Sequence, residues 1–312
     1  MWFEEERFIF DSSNGIYKVH GKIVKPLKPE VKGIVQISHG MCEYIDKYDD
    51  FIQHIVSKGF VVIGHDHIGH GDSVNQAEDY GFFAHKDGYK YMIEDLKKVS
   101  DIVRERYPDA PLYLLGHSMG SLIARCYAAR HGDSLQGLIL CGTVGPQPLV
   151  KAGIKFADLL SNQKGERYRS KMLYDVSLSF ANIKFLPAKT RFEWVTSDEQ
   201  ELKKHIEDPK GGFIFTAKGY SDLFHLVSLA NSEMLIKTVP KDLRIIFMSG
   251  DEDPVGENGE GVQRAFELYI KLGFQNVEMK LYPKKRHELL KEKNRKEIFE
   301  DITNWINALQ QS

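Results

Sequence analysis

Short, almost continuously apolar runs recur along this chain, spaced by amphipathic stretches. Gly33 to Ser38, Phe60 to Gly64, Pro111 to Leu115, Leu135 to Cys141 and Leu243 to Met248 carry few polar positions, as strands buried on both faces do. Helical spacing lies between them. Phe51, Ile52 and Ile55 mark a helix from about Lys47 to Lys58, and Met92, Leu96, Val99 and Val103 mark one from Tyr91 to Tyr107. Leu122, Ile123, Cys126, Ala128 and Ala129 form a further apolar face rich in small residues. Near the C-terminus the pattern predicts a helix over Val262 to Leu272, a strand over Val277 to Tyr282 and a last helix from Glu297 to Leu309. At the start, Arg7 to Phe10 and Ile16 to Val24 flank Ser12-Ser-Asn-Gly15, a loop with turn chemistry, so an antiparallel hairpin is expected at a sheet edge. Strand and helix in alternation predict an α/β fold with a mostly parallel central sheet covered by helices on both faces.

The alternation stops between residues 147 and 237. No buried parallel-strand run occurs there, and helical stretches rich in Lys and Glu carry stripes such as Leu149, Ala152, Phe156, Leu159 and Leu160. We therefore expect residues 147–237 to be a helical cap inserted into a core made of 1–146 and 238–312. The stripe is expected to lie on its own domain.

In a sheet of this kind ligand chemistry belongs at the carboxyl ends of the strands, and several chemically capable loops fall there. Gly116-His-Ser-Met-Gly120 stands where the 111–115 strand becomes a helix. Glycines on both sides of Ser118 remove the side chains that would collide in so sharp a turn, and leave the hydroxyl exposed at its tip. The five letters alone are a weak signal. A serine hydroxyl also needs a general base, and that base needs a partner to fix its tautomer. The loop after the 243–248 strand offers Asp251, Glu252 and Asp253, and the loop after the 277–282 strand offers His287. His39, His67, His70 and His117 also sit at strand ends but precede or adjoin the serine, and His117 is expected to pack or bond inside the turn. For a negatively charged intermediate two backbone N–H donors are needed. Met119, at the positive end of its helix, and Met41, in the loop His39-Gly40-Met41, are the candidates.

Composition narrows the field. The 312 residues hold 42 Lys plus Arg against 44 acids, a net charge of −2, which gives no case for a nucleic-acid partner. Three cysteines, Cys42, Cys126 and Cys141, form neither a disulfide framework nor zinc-ligand spacing. Cys42, beside the His39 loop, is the one candidate for a reactive thiol. H-E-x-x-H is absent, His67 and His70 lack a third ligand, and neither a Walker loop nor a dinucleotide fingerprint occurs, so no metal and no cofactor are expected. The start is acidic where a signal peptide would be basic, and no apolar run reaches membrane-spanning length. A soluble, cytoplasmic protein is expected.

His39-Gly-Met-Cys-Glu43, Asp66-His-Ile-Gly-His-Gly-Asp-Ser73, Gly116-His-Ser-Met-Gly120, Gly250-Asp-Glu-Asp253 and Arg286-His-Glu-Leu289 together resemble the monoacylglycerol lipase and lysophospholipase-like group of serine α/β hydrolases. Arg191-Phe-Glu-Trp194 with Asp208-Pro209 resembles bacterial lysophospholipases in the cap, whereas Lys291 departs from the Asn expected before Glu292. The resemblance implies the α/β-hydrolase fold and the chain order Ser, acid, His. It singles out Asp253 from its neighbours by the offset after Gly250, giving a triad of Ser118, Asp253 and His287 with Met41 and Met119 as oxyanion donors. It implies hydrolysis of lipid-like monoacyl esters, a monoacylglycerol or a lysophospholipid, through an acyl-enzyme, with transient membrane-surface contact through the cap as an accompanying expectation. The alternatives are a short-chain carboxylesterase, a peptidase of the same superfamily, and a ligand-binding protein that retains the triad with little turnover.

Overall fold

The computed structural model describes residues 2–28 and 30–311; Met1, Pro29 and Ser312, which fall in the ranges expected for the core, lie outside the described residues. Among the described residues one sheet of eight strands organises the fold. Its strands are β1 (Phe3–Asp11), β2 (Lys18–Pro26), β3 (Ile34–Ser38), β4 (Val61–His65), β5 (Leu112–His117), β6 (Gly137–Cys141), β7 (Arg244–Gly250) and β8 (Val277–Tyr282). Their spatial order is β1-β2-β4-β3-β5-β6-β7-β8. The β1–β2 hairpin and the β2–β4 pair are antiparallel, and every later pair is parallel. This is the mostly parallel sheet that the apolar runs predict, in the α/β-hydrolase arrangement that the resemblance implies.

Strand periodicity divides the core into two layers. Along β5, Leu112 and Leu114 face one side and Tyr113 and Leu115 the other. The first side meets α2 (Gly88–Arg106) and α3 (Met119–His131) through Met92, Leu96, Leu122 and Ile123. The second meets α1 (Asp49–Ser57) and the terminal helix over Arg295–Gln310 through Phe51, Ile55, Phe299 and Ile302. All these side chains are almost fully buried, so the sheet that carries the strand-end loops is anchored from both faces.

Between β6 and β7 the chain is helical: α4 (Val150–Lys164), α5 (Lys171–Leu178), α6 (Glu199–Glu207), α7 (Ala217–Ala230) and α8 (Glu233–Ile236). Two parts differ in their packing. α4 and α7 join the main core, where Gly153 leaves room for the Phe224 ring, which a Cβ would meet at 3.3 Å. Residues 181–202 instead hold a small core of their own, built on Ala181, Phe192, Trp194, Val195 and Leu202. The stripe expected on α4 is rotated. Ala157, Leu160 and Ser161 are buried, while Leu149 is 79 % exposed, Leu159 49 % exposed and Ala152 also faces solvent. The small residues win the inner face because α7 approaches there closely, and a larger stripe would hold the helices apart.

Four histidines cluster at the β3 and β4 ends, their rings tilted or edge-on to one another. The His39 ring is 4.4 Å from that of His67 and 5.2 Å from that of His70, and His65 is 4.6 Å from His67. The His67 backbone N–H donates to His39 Nε2 at 2.8 Å, while His39 Nδ1 donates to the Gly40 carbonyl at 2.8 Å, so that ring is neutral. Burial drives all four below the ordinary value, His65 to about 3 and His70 to about 4. Burial also pushes Asp66 up to about 6, partly offset by backbone N–H donors from Asp72 and Ile45. Each imidazole binds a proton more readily once unfolded, so stability falls as the pH drops from 6.5 toward the folded values. Asp66 acts oppositely between 3.8 and about 6, as do Asp222, which burial raises to about 7, and Asp95, also raised by burial, against the four histidines. Urea unfolding at pH 7 and pH 5 should show a lower midpoint at pH 5. His65→Phe should recover on the order of 2 kcal/mol of that loss, and equal pH dependence in the two proteins would contradict the assignment.

Candidate active site

Ser118 stands between β5 and α3 with φ of 52°, a conformation that costs a non-glycine residue about 1–3 kcal/mol. Its neighbours hold it there. The Ser118 N–H donates to the Cys141 carbonyl at 2.9 Å, and the Ser121 N–H and hydroxyl both donate to the Ser118 carbonyl, at 2.9 and 2.6 Å. The flanking glycines are required by contact. A Cβ on Gly116 would lie 2.5 Å from the Gly120 carbonyl oxygen, and one on Gly120 would lie 2.0 Å from that of Ser38. Strand β3 and helix α3 therefore touch backbone to backbone beside the serine.

The structure brings Ser118, His287 and Asp253 together from three strand ends. Both Asp253 carboxylate oxygens lie 3.0 Å from His287 Nδ1, which donates, so Nε2 is left to accept the Ser118 hydroxyl at 2.9 Å. Ser118 is half-buried, His287 buried and Asp253 fully enclosed. Burial alone would raise the Asp253 carboxyl, yet the His287 ring and backbone donors from Val255 and Gly256 hold it below its ordinary value. Asp251 instead accepts the Lys284 N–H at 2.6 Å and faces away from this chain of bonds. Met41 and Met119 line the cavity beside Ser118. As the first residue of α3, Met119 has no carbonyl four positions back within the helix for its N–H to bond.

That cavity has a volume of about 460 Å³, within the ordinary range for a small-molecule site. Core and insertion both build it: Leu122 comes from α3, Val150 from α4, Leu223, Phe224 and Val227 from α7, and Phe192 and Trp194 from the loop before α6. Cys42 also lines it, with φ of 58° and its thiol bonded to the Phe213 carbonyl at 3.1 Å. Burial pushes that thiol well above the usual range, so the thiolate a reactive cysteine needs is disfavoured. His67 and His70 serve the loop, with His67 Nε2 3.0 Å from the Ser38 hydroxyl and His70 Nδ1 3.2 Å from the Ile68 carbonyl. Among the described residues no three His, Cys, Asp or Glu side chains converge as a metal cage.

Two features escaped the residue pattern. Glu43 is buried beneath the serine and bonds the His117 ring at 2.9 Å; a carboxylate three residues after a glycine loop carries no distinguishing spacing. The His287 loop is held by the insertion. The His287 and Glu288 N–H groups donate to the Trp194 and Val195 carbonyls at 3.3 and 2.8 Å, and the Trp194 ring lies 5.3 Å from that of His287. Glu292 accepts from the Arg286 and Ser197 N–H groups at 2.7 and 3.1 Å, closing the same loop.

The profile of the serine aminopeptidase S33 family matches residues 29–294. The carboxyl esterase of Bacillus coagulans, solved in complex with glycerol, superposes with a TM-score of 0.91 at 33 % identity, covering 99 % of each chain. The monoglyceride lipase homolog of Monkeypox virus is 28 % identical over 286 residues, 88 % of this chain and 89 % of the viral protein. Rat (Rattus norvegicus) monoglyceride lipase is 24 % identical over 279 residues, 88 % of this chain and 82 % of the rat protein.

The turn's contacts predict two different outcomes for alanine. Gly120→Ala drives a methyl into the Ser38 backbone and should abolish folded protein, whereas Gly40→Ala meets the Glu43 carboxylate at 2.6 Å and should fold with lowered activity. Circular dichroism melting with ester turnover checks both. A fully folded Gly120→Ala protein would contradict the close approach.

Proposed function

The chain belongs to the serine aminopeptidase S33 family, an α/β-hydrolase family matched here over residues 29–294, and from that membership we propose that it hydrolyses long-chain monoacyl esters, with a monoacylglycerol as substrate. The observation that carries this reading is the bonded chain from Ser118 through His287 to Asp253, opening into an apolar cavity of about 460 Å³. His287 takes the Ser118 proton as the hydroxyl attacks the ester carbonyl, and Asp253 stabilises the imidazolium that forms. The N–H groups of Met41 and Met119 receive the oxyanion. His287 returns the proton to the leaving alcohol, and water then releases the fatty acid by the same route.

Residues 147–237 act as the cap that encloses the acyl chain against the core. An acetyl group would leave most of this cavity unfilled. Its lining holds the carboxylates of Glu43, Glu257 and Glu288 and no Lys or Arg side chain among the described residues. A phosphate-bearing head group would meet these acids with no Lys or Arg in the lining and with the His117 ring already bonded to Glu43, which favours a neutral glycerol head group over a lysophospholipid. Monoglyceride lipases among the relatives support the same choice. Leu149 and Val176 line the cavity yet are 79 % and 69 % exposed, which marks its mouth and suits transient contact with a lipid surface. No helix among the described residues is long and apolar enough to cross a membrane. Three unpaired, buried cysteines fit the reducing cytoplasm. The Bacillus coagulans relative is named a carboxyl esterase, which makes short-chain ester cleavage the second reading.

A panel of monoacylglycerols, lysophospholipids, short-chain esters and peptides, with the long-chain esters presented on vesicles, separates these readings. Fatty acid should be released fastest from monoacylglycerols, and Ser118→Ala should release none. Asp253→Asn should lower kcat by about 10⁴-fold. A variant combining Leu149→Glu with Val176→Glu should lose release from vesicles while keeping turnover of short soluble esters. Cleavage confined to short esters or to peptides would overturn the substrate, and an active Ser118→Ala protein would overturn the nucleophile.

A further inference from the structure

Beneath the serine lies a buried ionic bond that the acyl-transfer steps do not use. Glu43 and His117 are each 4 % exposed. One carboxylate oxygen of Glu43 accepts three hydrogen bonds: from the Gly40 N–H at 2.6 Å, the Tyr48 hydroxyl at 2.8 Å and His117 Nδ1 at 2.9 Å. The other ring nitrogen, His117 Nε2, donates to the His287 carbonyl at 3.3 Å. Both nitrogens thus face acceptors, and only the doubly protonated ring satisfies both. A neutral tautomer would leave one of two buried acceptors facing a lone pair.

The position of this ring matters as much as its charge. His117 precedes Ser118 in the chain, its carboxylate partner grips the backbone next to Met41, and its far side grips the backbone of His287. We propose that the Glu43–His117 ion pair is a positioning device, which holds the oxyanion loop and the His287 loop in register with Ser118 only while His117 carries its proton. The inference rests on Ser118 and His287 being nucleophile and base. It does not depend on which ester is cleaved.

The electrostatics agree with the geometry. Burial opposes protonation of His117, but the charge and hydrogen bond of Glu43 outweigh it and raise the ring to about 9. Burial likewise opposes ionisation of Glu43, and the His117 charge carries it well below the usual carboxylate range. Among the other groups facing the pair, Glu288 is also held low, whereas burial pushes Tyr48 well up and Cys141 to about 12, and Lys47 is raised by the surrounding acids against its own burial. His117 is therefore the group whose charge is lost as the pH passes about 9, and turnover falls on that alkaline side. The folded-state value is raised above the ordinary 6.5, so the stability it contributes is complete below 6.5 and is lost through about 9.

The test compares pH profiles of kcat and KM for a soluble p-nitrophenyl ester in the wild type and in Glu43→Gln, with Ser118→Ala as the blank. The wild type should lose kcat above about pH 9 with KM nearly constant. Glu43→Gln should move this limb toward neutral pH and lower kcat at pH 8 by about 10–100-fold, with KM within about twofold. An unshifted limb, or equal losses in kcat and KM at every pH, would overturn the proposal. If Glu43→Gln does not fold, histidine-labelled NMR of the wild type decides, with His117→Gln to assign the signal. A doubly protonated His117 at pH 8 supports the device, and a neutral tautomer overturns it. An active Ser118→Ala blank would instead fault the underlying nucleophile assignment.

Discussion

The contact on which the rest of the structure depends is the backbone approach between Gly120, at the start of α3, and the Ser38 carbonyl at the end of β3. A Cβ at Gly120 would lie 2.0 Å from that oxygen, so helix and strand meet with no side chain between them. This approach lets α3 begin directly over the sheet, which puts Ser118 in its strained turn and aims the helix N-terminus at the same point. It also brings the β3 loop, with Gly40 and Met41, beside the serine. The placement of Ser118 and of the backbone at Met41 and Met119 thus follows from one steric constraint, and the buried layers on both sheet faces hold that constraint in place.

The imidazole that Ser118 bonds is positioned by a different route. His287 belongs to a loop after β8, and its N–H bonds to Trp194 in the insertion while its carbonyl accepts from His117 in the core. The insertion that walls the cavity therefore also holds the loop that carries His287. Movement of the 194–197 segment would reach the His287 loop directly, through the backbone hydrogen bonds of His287 and Glu288 and an indole tilted against the His287 ring. The 194–197 segment and the Ser118–His287 hydrogen bond are thus joined by direct contacts.

Most of the sheet was legible because its signal is local: continuous apolar runs mark strands buried on both faces, and each parallel strand from β3 to β7 shows one, whereas β8, at the sheet edge, alternates apolar and polar residues. Ser118 was legible for the same reason, since glycine on both sides of a serine at a strand end reports a backbone conformation. His287 and the acid loop followed from chain order, and the choice of Asp253 over Asp251 came from a resemblance; the distances now distinguish them, because Asp251 bonds Lys284. The orientation of α4 was not legible. Leu149 and Leu160 look equivalent in sequence, and only the close approach of α7 at Gly153 selects which one is buried. Glu43 was missed because a buried carboxylate is defined by a partner, His117, that lies 74 positions away.

The central claim is that Ser118 carries the acyl group during turnover. The most direct measurement is rapid acid quenching of the wild-type protein during hydrolysis of a long-chain p-nitrophenyl ester, followed by mass analysis of its peptides. An acyl adduct should appear on the peptide containing Ser118, formed and lost on the timescale of turnover. Turnover with no adduct there, or with the acyl group on the Cys42 peptide instead, would contradict that claim.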